Sequence, residues 1–66
     1  MDVTVNGAPA QVDDATTVAQ LVAARAQEHR RVAVALNGDV VPRSAWGTTS
    51  LQAGDAVEVL VAVAGG

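Results

Sequence analysis

Cysteine, lysine, isoleucine, phenylalanine and tyrosine are absent from the 66 residues. Without cysteine there is no disulfide and no thiolate metal site. His29 is the only histidine, so soft ligands are too few for zinc. Positive charge is scarce too: four arginines against seven acidic residues give a net charge of −3. That is the wrong sign for phosphate contacts, and neither a basic cluster nor an aromatic stacking platform compensates, so nucleic acid is not an expected partner. A membrane is not expected either. The first residues, Met1, Asp2, Val3 and Thr4, carry no basic leader region, and no apolar run approaches the roughly 18 residues of a bilayer span. The expectation is a soluble cytoplasmic protein.

What is abundant is small and apolar. Alanine supplies 14 positions and valine 13. A chain of this length is at most one domain, and a domain of roughly 60 residues buries only about 60% of the surface its unfolded chain exposes. Its core must be thin.

Met1, Val3 and Val5 alternate with Asp2 and Thr4, the period of a strand with one wet face, and Asn6-Gly7 follows. Asn-Gly suits a type I′ hairpin, whose two central residues need positive φ. The return strand is expected over residues 8–12, with Ala10 and Val12 inward. Pro9 cannot donate to a ladder, which places this strand at a sheet edge. Asp13 and Asp14 break the strand. Thr17 and Gln20 then form a capping-box pattern for a helix starting near Val18. Val18, Leu21, Val22 and Ala26 share one helical face, while Arg25, Gln27, Glu28 and Arg30 are polar.

Val32, Val34 and Leu36 alternate with Ala33 and Ala35 in a further strand. A second Asn-Gly pair, Asn37-Gly38, turns the chain toward Val40 and Val41. Pro42 stops regular pairing, and a 3₁₀ turn is expected from Ser44 to Trp46, ended by Gly47. A tight turn at Gln52-Ala53-Gly54-Asp55 feeds the longest strand, expected over residues 56–63. There Val57, Val59, Val61 and Val63 form the inward face, and Ala56, Glu58, Leu60 and Ala62 the outward one.

The order strand, strand, helix, strand, short strand, strand implies an α+β fold with one main helix on one face of a mixed four- to five-stranded sheet. With the first and last strands parallel at its centre, the sheet is that of a β-grasp, the ubiquitin-like fold. Leu21 and Val22 would then pack on the four inward valines of the last strand.

Catalytic chemistry has few candidates. Ser44 and Ser50 offer hydroxyls, but His29 sits near the predicted helix end between Glu28 and Arg30, where a solvated role suffices. Asp13 and Asp14 precede a helix, where acids serve its N-terminus. The glycines are scattered at turns and make no phosphate loop.

The end of the sequence is more specific. After Glu58 no charged side chain occurs, and the domain of residues 1–63 gives way to an Ala64-Gly65-Gly66 tail. At about 3.3 Å per extended residue, three residues carry the terminal carboxylate roughly 10 Å from the sheet. Glycine lacks Cβ, so such a tail can enter a narrow channel and leave its acyl carbon unhindered. A carboxylate with a pKa near ~3.5 is a poor electrophile and requires activation as an acyl phosphate or adenylate. The chain is thus expected to be a carrier and co-substrate, not an enzyme. A frayed terminus is the bland alternative.

The stretch Val34-Ala35-Leu36-Asn37-Gly38-Asp39-Val40-Val41-Pro42-Arg43-Ser44-Ala45-Trp46, followed by Gly54-Asp55 and terminal Gly65-Gly66, resembles the sulfur carrier (ThiS) family of thiamine biosynthesis. The Asn-Gly-x-Val-Val-Pro-Arg-x-x-Trp block is the specific part. The resemblance implies a β-grasp fold and a sulfur-carrying cycle. An E1-like adenylyltransferase uses ATP to adenylate Gly66, sulfur drawn from cysteine by a desulfurase system converts it to a thiocarboxylate, and thiazole synthase accepts the sulfur. No cofactor is bound by the carrier itself. Gly66 carries over as the modified residue, and Ala64 and Gly65 as the tail that enters the partners' channels. Pro42 and Trp46 read as fixing the turn and covering a core edge. Where β-grasp carriers often place Phe or Tyr in the last strand, this chain has Val, Leu or Ala. Leu60, with Ala62 beside it, is the expected apolar docking spot. Two alternatives stay open: a carrier like the molybdopterin synthase small subunit, and a ubiquitin-like binding module with a passive tail.

Overall fold

The computed structural model describes residues 1–25 and 32–61. Along the chain run β1 (Asp2–Val5), β2 (Ala8–Gln11), α1 (Val18–Arg25), β3 (Val32–Leu36), β4 (Asp39–Val41), a 3₁₀ helix (Arg43–Thr48) and β5 (Ala56–Val61). The strands form one sheet in the order β2-β1-β5-β3-β4. β1 and β5 are parallel at its centre, and the other neighbours are antiparallel. This is the β-grasp arrangement expected from the element order.

Local chemistry accounts for the turns. Asn6 and Gly7 have φ of 52° and 81°, and Asn37 and Gly38 have 50° and 88°, so each pair supplies the two left-handed residues of a type I′ hairpin. Pro9 lies opposite Thr4 on β2, an outer strand, where its missing N–H breaks no ladder. The helix start is capped reciprocally: Gln20 N–H donates to Thr17 Oγ1 at 3.2 Å, and Thr17 N–H donates to Gln20 Oε1 at 3.0 Å.

The core lies between α1 and the sheet. Val3 and Val5 of β1, Val32 and Val34 of β3 and Val57 of β5 pack with Val18, Leu21 and Val22 of α1, while Trp46 and Leu51 close its sides. Leu51 was not expected in the core. The segment before it is strapped to the helix start: Val18 N–H donates to Thr49 O at 2.9 Å, and Leu51 N–H donates to Thr16 O at 2.8 Å.

Three boundaries differ from the sequence expectation. β2 ends at Gln11, one residue early, although Val12 N–H still reaches Met1 O at 3.0 Å. The 3₁₀ helix runs past Gly47 to Thr48, whose hydroxyl donates to Ala45 O at 3.2 Å. On β5 the inward valines are not equally buried: Val57 is 1% exposed and Val59 half-buried, but Val61 is 53% exposed. Parity puts Val61 on the helix side, yet its cover is spent before the strand ends. Val63 and Ala26, also expected inward, lie outside the described residues, as does His29. Among the described residues no helix is long and apolar enough to cross a membrane.

Candidate functional site

β5 leads to the tail, so its anchoring decides where the tail starts. Asn37 fixes the beginning of the strand. Its N–H donates to Ala56 O at 2.7 Å, its Oδ1 accepts from Ala56 N–H at 2.9 Å, and its Nδ2 donates to Asp55 Oδ1 at 3.0 Å. Asp55 Oδ2 in turn accepts from Gln52 N–H at 2.8 Å, closing the turn in which Gly54 has φ of 87°. The Asn-Gly pair and the Gly-Asp pair, 17 residues apart in sequence, are thus one hydrogen-bonded unit.

The Val-Val-Pro-Arg-x-x-Trp block beside it is structural. Pro42, with φ −61° and ψ 147°, ends β4 and precedes the 3₁₀ helix. Trp46 is 7% exposed and its indole N–H donates to Val41 O at 2.9 Å, so a buried polar atom is satisfied while the ring covers the core edge. The Arg43 guanidinium lies 4.9 Å from the centroid of that ring, within cation–π range.

On the sheet face away from α1, Leu60 is 70% exposed, and it pairs with exposed Ala33. Val40, 77% exposed, pairs with Ala35 on the other side of β3. Two bulky apolar side chains therefore flank a trough floored by alanines, two strand spacings or about 10 Å across. Glu58, opposite Ala35 on β5, borders it with negative charge. Val40 was missed as a surface candidate. The signal was available: of two successive valines before Pro42, strand alternation sends one outward.

Elsewhere the surface brings no reactive set together. The depression beside Met1, Val12, Asp13, Asp14 and Gln20 holds carboxylates without a histidine. Ser50 bridges Thr17, and Ser44 lies within the 3₁₀ helix. Among the described residues no three of His, Cys, Asp or Glu gather as a metal site. Of the residues expected to carry the chemistry, Ala62, Ala64, Gly65 and Gly66 lie outside the described residues.

The model of the ThiS family matches residues 3–66, nearly the whole chain and both final glycines. The chain belongs to the ThiS family. This ThiS-family chain is similar in structure to a thiamine biosynthesis protein (ThiS) from Geobacter metallireducens. The crystal structure of that protein superposes with a TM-score of 0.84 at 40% sequence identity, covering 100% of each chain. Its NMR solution structure gives a TM-score of 0.82 at 40% identity, covering 100% of this chain and 88% of that one. A search among curated proteins finds no match. Both solved relatives carry the β-grasp reading of the ThiS-family fold beyond strand order to the backbone as a whole.

Proposed function

We propose that this ThiS-family chain is a cytoplasmic sulfur carrier for the thiazole moiety of thiamine, acting as co-substrate rather than enzyme. The reacting group is the main-chain carboxylate of Gly66. In the first step an E1-like adenylyltransferase joins that carboxylate to the α-phosphate of ATP, and pyrophosphate leaves. A sulfur nucleophile derived from cysteine by a desulfurase system then attacks the acyl carbon. AMP departs, and a thiocarboxylate replaces the carboxylate. Thiazole synthase takes the sulfur from it. ATP and the sulfur source belong to the partners.

One observation carries this reading: the family match extends through Gly65 and Gly66, so it includes the residues on which the chemistry depends. The composition supports it, because a chain with no cysteine has no thiol side chain on which to carry sulfur. Ala64 and Gly65 give the narrow tail passage into a partner's channel. Leu60 and Ala62, with Val40 across the trough, form the docking surface; exposed apolar side chains of this kind mark contact sites.

Intact mass spectrometry tests the reading. Incubation with ATP, the adenylyltransferase and a cysteine-fed desulfurase should raise the mass by the difference between sulfur and oxygen, with the change on Gly66 in the C-terminal peptide. No change in mass would overturn it.

A further inference from the structure

The side of β5 facing β1 loses its neighbour halfway along. Asp55 O accepts from Thr4 N–H at 3.0 Å, and Val57 O accepts from Asn6 N–H at 2.9 Å. There β1 stops: its last pair is Val5 with Val57, and Asn6-Gly7 turns the chain back into β2. The next residue of β5 with its peptide groups on that side is Val59. Its N–H donates to Asn6 Oδ1 at 2.8 Å, and its C=O accepts from Asn6 Nδ2 at 3.2 Å. One side-chain amide presents an acceptor and a donor to the same residue, which is what a continuing parallel strand would present. The opposite side of the strand is held by β3, through Leu60 paired with Ala33.

We propose that Asn6 is a positioning residue for the tail: its side-chain amide replaces the strand that β1 no longer supplies and fixes Val59, seven residues before Gly66. The proposal rests on the carrier reading. The clamp is solvent-exposed, and exposed hydrogen bonds add little to global stability, so its effect is local. With Val59 held on both sides, the tail leaves the sheet from a set point in a set direction. Without the clamp, residues 59–61 sample more conformations, and a partner enzyme must order them on binding. That loss is uniform to ground and transition state, so it raises KM and leaves kcat alone.

Asn6→Gly isolates the clamp from the turn, since glycine adopts positive φ freely and Gly-Gly supports a type I′ hairpin. Amide hydrogen exchange on the free protein should show faster exchange at Val59, with protection at Val34 and Val57 retained. In steady-state adenylation assays with the carrier as varied substrate, KM should rise about fivefold at unchanged kcat, from the ordering cost of a few freed residues. Unchanged exchange at Val59, a general loss of protection, or an unchanged KM would overturn the proposal. Failure of the unsubstituted carrier to be adenylated would instead overturn the carrier reading, and the exchange result would still decide whether the clamp exists.

Discussion

The two ends of β5 are held in opposite ways. At its start, Ala56 and Val57 are hydrogen-bonded toward both neighbouring strands, Asn37 and Asp55 brace the incoming turn, and Val57 is 1% exposed. At its end, β3 supports one side only, Asn6 substitutes for β1 on the other, and Leu60 and Val61 are 70% and 53% exposed. Burial and hydrogen bonding are concentrated where the strand enters the fold, while the apolar surface of its other end is left for something else to cover. For a chain proposed to do its chemistry beyond that end, this division makes sense: the domain is a handle, and the strand's far end is the part offered to partners.

Substitutions at the two ends should separate them. Val57→Ala removes two buried methyl-sized groups from a packed site and should cost about 2 kcal/mol, which in a domain of this size lowers the melting temperature by about 10 °C. Asp55→Ala should cost about 1–2 kcal/mol, because it strips acceptors from Gln52 N–H and Asn37 Nδ2 together. Val61→Ala should change stability by less than about 0.5 kcal/mol, as expected for a half-exposed side chain. Thermal denaturation followed by circular dichroism measures all three, and a Val61→Ala penalty equal to that of Val57→Ala would erase the comparison. Leu60→Asp should leave the melting temperature within a few degrees while slowing adenylation and thiocarboxylate formation. Unchanged rates for Leu60→Asp would remove the outer face from the docking surface.

Much of this was legible from local sequence. The two Asn-Gly pairs specified their own backbone conformation, Thr17 and Gln20 their own cap, and Pro9 its place on an outer strand. Each of these rests on neighbours within a few residues. What sequence alone did not disclose depends on distant contacts or on reach. Alternation correctly put Val61 on the helix side, but it carries no information on where helical cover ends. Leu51, alone in a polar stretch, enters the core only because residues 49–51 are strapped to residues 16–18. Asn6 was readable as a turn residue, and its second role appears only when Val59, 53 residues away, is brought beside it. The docking face was half legible: Leu60 followed from alternation, and Val40 lies across β3 from it.

The central claim is that sulfur rides on the main-chain terminus of Gly66 and nowhere else. A strain whose only carrier is this chain with one residue appended after Gly66 tests it most directly. The folded domain should be unchanged, thiazole formation should cease, and growth should require added thiamine. Growth without thiamine, at the rate given by the unextended chain, would contradict the account.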